Sequence, residues 1–371
     1  MRATKAIIDI ASLQHNLKMI KALAPKSEIM AVLKADAYGH GILEIGRQLS
    51  DVSCLGVACL EEAIILREGG VKTDILLLEG FFGNDEIQAI IDYGFSLVVH
   101  QSSQLDILEK LSGEHKITVW LKIDTGMHRL GFSAEQSQSA LNRLENMPVV
   151  DGIVIMSHLA CADDAQSLMT TQQVKLLKAT LATINPEKKQ YPISMANSAA
   201  ILAWPEAHFQ LVRPGLLLYG VSPLLADTSA LDDGQRHGLQ PVMTLVSELI
   251  AIRHIKAGET VGYGASWMAK EDTWIGTIGI GYGDGYPRNL PNGTAVWLNG
   301  VEVPIAGRVS MDMITVELGS STTANIGDRA VLWGKELPIE KVASAAGTIP
   351  YELLCGITQR VPYEYWFPEN D

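Results

Sequence analysis

The sequence predicts a (β/α)8 barrel followed by a mostly β C-terminal domain, on three observations. From residue 1 to about 230, short β-branched or leucine-rich runs alternate with segments of helical period, the signature of βα units around a parallel sheet. Polar side chains fall at the C-terminal ends of those runs, where parallel barrels place their chemistry. Beyond about residue 235 the pattern turns to apolar/polar alternation with frequent glycine. An Asn299-Gly300 pair between two strand-like runs signals a hairpin there.

A helix precedes the first barrel run. Ser12 is its candidate cap, and Leu13, Leu17, Ile20 and Ala24 recur three or four residues apart on one face. Eight runs then read as barrel strands: 29–33, 53–57, 75–78, 96–99, 117–123, 152–156, 192–195 and 211–215. Their ends carry Lys34, Glu79, His100, Lys122 with Asp124, His158, Asn197 with Ser198, and Arg213. The polar stretch 227–237 reads as a linker. It divides a barrel over residues 1–232 from a β-rich domain over residues 233–371.

Composition limits the function. A chain of 371 residues, 47% hydrophobic and 19% charged, is long enough for about two globular domains of roughly 150 residues each. Acidic residues outnumber basic ones 42 to 29, for a net charge of −13, which argues against a nucleic-acid partner. Four cysteines are too few for a disulfide scaffold and match no common zinc spacing, so they read as buried or idle thiols. The histidines show no metal-ligand spacing. The N-terminus lacks the features of a signal peptide, and no apolar run approaches the roughly 18 residues of a membrane span. A cytoplasmic protein with no membrane partner is the expectation. The glycine-rich run 279–285 is not read as a nucleotide loop, because no helical pattern follows and Pro287 and Pro291 come soon after.

Lys34 sits at the mouth of the first barrel run, with the Tyr38 phenol four residues on. A desolvated lysine there has a lowered pKa and can form a Schiff base with an aldehyde; by itself it reads more readily as a surface lysine at a strand end. Residues 32–41, VLKADAYGHG, closely resemble the cofactor-lysine motif of the alanine racemases, which use pyridoxal 5′-phosphate. The resemblance continues in 122–131 (KIDTGMHRLG), 157–158 (SH), 212–215 (VRPG), 261–264 (VGYG), 281–286 (GYGDGY) and 307–312 (GRVSMD), nearly the whole chain.

The resemblance implies an isomerase interconverting L- and D-alanine, whose D-alanine serves peptidoglycan. Racemisation needs a base on each face of Cα, and the resemblance gives Lys34 the proton of the D-enantiomer and Tyr263 that of the L-enantiomer. A phenol, with a solution pKa near 10, needs a positive or hydrogen-bonding neighbour for this. Tyr38, Ser198, Gly215 and Leu216 are implied around the cofactor phosphate. Arg213 is implied at the pyridine nitrogen, where a guanidinium donates without yielding its proton, with His158 orienting it. Arg129 and the Met311 amide are implied for the substrate carboxylate. Lys122, close to Arg129 in the same motif, matches a lysine that in some relatives is carbamylated and steadies the arginine; Tyr282 narrows the entrance; Asp312 supports the last motif. Where some members have a phosphate-side tyrosine, this chain has Gln359.

Because Tyr263 and Met311 belong to the second domain, the resemblance also implies a head-to-tail homodimer with shared sites. Two rivals are weighed against it. A non-catalytic pyridoxal-phosphate carrier would lack the second domain, and a decarboxylase of the same barrel class would hold the ring nitrogen with a carboxylate. A racemase of broader specificity stays open.

Overall fold

The computed structural model describes residues 2–185, 189–224 and 233–368. It opens with a strand, β1 (Lys5–Asp9), that runs directly into helix α1 (Ile10–Leu23). The helix cap is Asp9, whose carboxylate accepts from the Ser12 amide at 3.1 Å and the Ser12 hydroxyl at 3.0 Å. The cap thus lies three residues before the expected Ser12, because the last strand residue already has the extended backbone a cap requires. Leu13, Leu17, Ile20 and Ala24 are buried, as their spacing predicts.

The barrel begins with β2 (Glu28–Val32), a short turn α2 (Lys34–Gly39), α3 (Ile42–Gln48), β3 (Cys54–Val57), α4 (Leu60–Glu68) and β4 (Ile75–Leu77). It continues through α5 (Ile87–Tyr93), β5 (Ser96–Val99), α6 (Ser102–Leu108), β6 (Ile117–Lys122), α7 (Ala134–Glu145) and β7 (Val150–Met156). The last units are α8 (Leu168–Ile184), β8 (Ile193–Asn197), α9 (Ser198–Ala203) and β9 (Leu211–Arg213). Strands β2 to β9 are parallel and close in chain order, with Glu28 opposite Leu211 and Ile29 opposite Val212 at the seam. All eight expected runs are strands with ends within two residues of those read from sequence. A parallel barrel buries its strands on both faces; Ile75, Leu76 and Leu77 of β4 are fully buried.

The second domain holds β10 (Met243–Ile255), β11 (Thr260–Val261), β12 (Trp267–Met268), β13 (Thr273–Ile278), β14 (Ala295–Leu298) and β15 (Val301–Pro304). It ends in β16 (Ile314–Gly319), β17 (Arg329–Trp333), helices α10 (Ile339–Ala346) and α11 (Pro350–Cys355), and β18 (Tyr363–Trp366). The main sheet runs β15-β14-β17-β10-β1-β18, and β13 pairs β10 and β16. The expected hairpin joins β14 and β15, with Asn299 at φ 50° and Gly300 at φ 90°, as a type I′ turn demands.

One boundary is corrected. Residues Lys5–Asp9, expected in the barrel half, form the strand between β10 and β18, antiparallel to the first and parallel to the second. Five residues are too few for a periodic signal, and their partners lie more than 230 positions away. Residue 232 and the first part of the expected linker, 227–232, lie outside the described residues, while Gly234–His237 form a 3-10 turn capped by Asp233. No helix among the described residues is long and apolar enough to cross a membrane.

Candidate active site

The C-terminal ends of the barrel strands open into a cavity of about 400 Å³. Lys34, Tyr38, Glu79, Lys122, Arg129, His158, Asn197, Ser198, Arg213 and Gly215 line it. Two members of the expected ring stand aside. Asp124 braces the following loop, accepting from the Gly126 and His128 amides at 2.9 and 3.1 Å. The His100 ring lies 3.2 Å from the Glu79 carbonyl oxygen.

Lys34 begins a turn that L-residues resist. Ala35, Asp36, Ala37 and Tyr38 have φ between 53° and 54° and ψ between 42° and 55°, one full turn of left-handed helix. Such backbone costs about 1–2 kcal/mol per residue, so its surroundings must hold it. His40 is fully buried, and burial lowers its pKa to about 4, so the ring is neutral. Its Nδ1 donates to the Ala37 and Tyr38 carbonyls at 3.0 and 2.9 Å. The Tyr365 hydroxyl of β18 donates to the His40 carbonyl at 3.1 Å. Gly39, at φ 73°, packs so tightly on α11 that a Cβ would lie 2.1 Å from the Leu354 carbonyl oxygen. Against the expectation of a desolvated amine, Lys34 is exposed, because the cavity mouth is open to solvent in the single chain.

Arg213 closes the cavity floor. It is 4% exposed and donates to the Ser194 hydroxyl at 2.8 Å and to the Ser157 and Met195 carbonyls at 2.7 and 3.1 Å. It also donates to His158 Nδ1 at 3.0 Å. Every one of these acceptors is uncharged. Burial pulls the Arg213 pKa down to about 9, which leaves it charged at neutral pH. His158 is held well below the usual histidine range, first by burial and then by Arg213, Lys122, Arg129 and Lys34; it is neutral, as an Nδ1 acceptor must be. Lys122 is lowered to about 8, by burial first and then by Arg213, Arg129 and Lys34. Among the described residues, four cations therefore face Glu79, the one carboxylate lining the cavity, a balance that suits an anionic ligand.

The opposite wall is a polar cradle. The Ser198 hydroxyl accepts from the Gly215 amide at 2.9 Å and the Leu217 amide at 3.4 Å, and Leu216 between them is fully buried. Gly215 approaches Tyr38 so closely that a Cβ would sit 2.5 Å from the phenol oxygen. Burial, and then Tyr351, push the Tyr38 pKa up, so the phenol remains a donor. This set of donors fits a phosphate ester, and Arg213 fits an uncharged aromatic nitrogen.

Tyr351 is the lining residue that sequence reasoning missed. It comes from α11 of the second domain, its ring centroid 5.7 Å from that of Tyr38. Gln359, the position considered instead, is exposed and does not line the cavity. No local signal separates Tyr351 from an ordinary aromatic on a short helix.

Tyr263, Met311, Tyr282 and Asp312 do not line the cavity of their own chain. Tyr263 is 69% and Met311 52% exposed. Tyr263 stands in the tip joining β11 and β12, between Gly262 and Gly264 at φ 77° and 74°. The Arg308 guanidinium lies against that tip, Nη1 3.3 Å from where a Gly264 Cβ would be. The Tyr282 amide donates to the Ser310 carbonyl at 3.0 Å and the Gly283 amide to the Met311 carbonyl at 2.9 Å. Arg288 lies over the Tyr282 ring at 5.7 Å, and Arg360 donates to Asp312 at 2.6 Å.

Two family models match the chain: alanine racemase, N-terminal domain, over residues 8–223, and alanine racemase, C-terminal domain, over residues 242–365. An alanine racemase of Shewanella sediminis is 50% identical over 96% of this chain and 97% of its own length. One of Vibrio parahaemolyticus is 49% identical over 98% of this chain and 99% of its own. The crystal structure of biosynthetic alanine racemase from Pseudomonas aeruginosa matches with a TM-score of 0.92 at 40% identity, covering 99% of this chain and 100% of that one. That of alanine racemase from Acinetobacter baumannii matches at 0.91 and 37%, with the same coverage.

Proposed function

The chain belongs to the alanine racemase family, and from that premise we propose that it interconverts L- and D-alanine with pyridoxal 5′-phosphate in the barrel mouth, in a site completed by a second copy of the chain. The observation that carries the reading is Arg213, a buried guanidinium bonded only to uncharged acceptors in a cavity that also offers an amine and a cradle of donors.

Tyr38, Ser198, Gly215 and Leu216 would hold the phosphate, Lys34 the aldehyde carbon, and Arg213 the ring nitrogen, with His158 behind it. When bound, the cofactor withdraws electron density from the substrate's Cα and so acidifies its C–H bond. Arg213 keeps its proton and leaves the ring nitrogen uncharged, which disfavours side reactions of a long-lived carbanion. Arg129 and the Met311 amide of the partner subunit orient the substrate carboxylate, and Lys122 would steady Arg129 once carbamylated to an anion, since as a bare ammonium it repels that guanidinium. The Lys34 amine exchanges a proton with one face of Cα and the phenol of the partner subunit's Tyr263 with the other, so that removal on one side and return on the other inverts the centre. Tyr282 narrows the entrance toward small side chains, which suits alanine. The reading extends to a cytoplasmic enzyme whose D-alanine serves peptidoglycan.

Protein titrated with pyridoxal phosphate should gain a visible absorbance band, and borohydride should fix the cofactor on Lys34. With L-alanine in D2O it should release D-alanine carrying deuterium at Cα. Cofactor uptake without exchange would make the protein a carrier, and carbon dioxide release a decarboxylase.

A further inference from the structure

Lys34 stands at the head of the left-handed turn, and a side chain from the next βα unit grips the turn where it starts. Glu62 belongs to the first turn of α4. Its Oε1 accepts from the Ala35 amide at 2.7 Å, and its Oε2 accepts from the Ala58 amide at 2.9 Å. Ala35 directly follows Lys34, and Ala58 directly follows the last residue of β3. One carboxylate therefore ties the backbone beyond Lys34 to the end of the adjacent barrel strand. On the other side of Lys34, the Leu33 amide donates to the Gly56 carbonyl of that same strand at 2.8 Å. The lysine's backbone is held from both sides.

The bonds inside the turn start later in the chain. The Ala37 amide donates to the Leu33 carbonyl, and the His40 ring and amide close the turn's far end. Among the described residues, Glu62 alone accepts the Ala35 amide. Ala35 is also the first residue at positive φ, 54°, a conformation an L-residue leaves when nothing holds it.

We propose that Glu62 is a positioning residue of the racemase reaction: its carboxylate holds Ala35 left-handed and so sets where the Lys34 amine stands. The proposal rests on the reading of Lys34 as the cofactor lysine. Both bonds are charge-assisted, the stronger class of hydrogen bond. Without them Ala35 returns toward extended or right-handed backbone, and Lys34, its neighbour, swings with it. Glycine has no such preference, and Ala35 is exposed, so Ala35→Gly relaxes the turn without emptying any packed space.

Four proteins make the test: Glu62→Ala, Glu62→Gln, Ala35→Gly and the Glu62→Ala/Ala35→Gly double variant. Amide hydrogen exchange of residues 35–41 is read without cofactor, and pyridoxal-phosphate affinity is read by absorbance titration. Glu62→Ala should speed exchange and weaken cofactor binding, each about tenfold, the loss expected for charge-assisted bonds. Glu62→Gln, which keeps one acceptor and no charge, should fall between. Ala35→Gly alone should bind the cofactor as the parent does, and added to Glu62→Ala it should recover about threefold in affinity, since glycine no longer resists the turn. Unchanged exchange in Glu62→Ala overturns the clamp. Faster exchange with unchanged affinity, or a double variant no better than Glu62→Ala, overturns the positioning role. If the parent itself takes up no cofactor, the function reading fails instead, and the exchange result still upholds or overturns the clamp.

Discussion

The barrel mouth and the exposed face of the second domain, the two halves of the proposed site, are in opposite physical states. At the mouth, Arg213, His158 and Lys122 are buried, bonded or crowded by one another, and shifted in pKa by that burial. On the second domain, Tyr263 and Met311 stand largely exposed on glycine-flanked and loop backbone, apart from the cavity of their own chain. Charges taken out of water need partners fixed by the fold, so the buried side of the cavity is built within one chain. On the proposed function, the Tyr263 phenol meets substrate in a second chain's mouth, which accounts for its exposure in the single chain, and pairing the two chains would build both sites at once.

The largest expected effect tests that division directly. On the proposed function, Lys34→Ala and Tyr263→Phe should each lose about 10³-fold or more in kcat, since each would remove one proton-transferring group. Mixed and re-associated, the two variants should recover about a quarter of parental activity, because half the dimers are hybrids and each hybrid has one intact site. No recovery would mean that each chain builds its site alone.

Within the mouth, Gly215→Ala should weaken pyridoxal-phosphate binding about 10- to 100-fold, the usual scale of overpacking, since its Cβ would lie 2.5 Å from the Tyr38 oxygen. A titration giving parental affinity would remove Gly215 and Tyr38 from the phosphate cradle.

Lys122 sharpens the contrast between buried and exposed charge. Its pKa is lowered from 10.5 to about 8, so its cost to the fold is complete below about pH 8 and fades as pH rises toward 10.5. Lys122→Met should therefore be more stable than the parent at pH 7 in CO2-free buffer, on the order of 2–3 kcal/mol, with the advantage vanishing above pH 10. Bicarbonate should erase the advantage if the amine takes CO2, loses a proton and becomes an anionic carbamate beside Arg129. Melting curves in both buffers read this, and an advantage that ignores pH would mean the substitution acts through packing alone.

The smallest effect belongs to the second domain's periphery. Gly300→Ala should cost about 1 kcal/mol of stability and leave activity unchanged, because φ is 90° and no atom lies within 4 Å of the added Cβ. A change in kcat there would mean that the hairpin communicates with the site.

The barrel was legible because each strand is a short apolar run with its own boundaries, and the site's first layer was legible because it lies at those boundaries: Lys34, Lys122, His158, Ser198 and Arg213 all line the cavity. The residues holding that layer were not. Glu62 reads as an ordinary acid in a helix's first turn, and Tyr351 as an aromatic on a short helix near the C-terminus.

By itself the sequence determined the eight barrel strands, the hairpin at Asn299-Gly300 and the residues at the strand ends, since periodicity and turn chemistry act over a few neighbours. Only the tertiary structure decided the rest. It placed β1 beside strands more than 230 residues away, moved the first cap from Ser12 to Asp9, and brought Tyr351 into the cavity while leaving Tyr263 outside it. It also wound four residues after Lys34 left-handed, a conformation no local preference favours. The pairing of β1 and the left-handed turn are stable only because partners remote in sequence offset a local cost, and such partners exist only once the chain has folded.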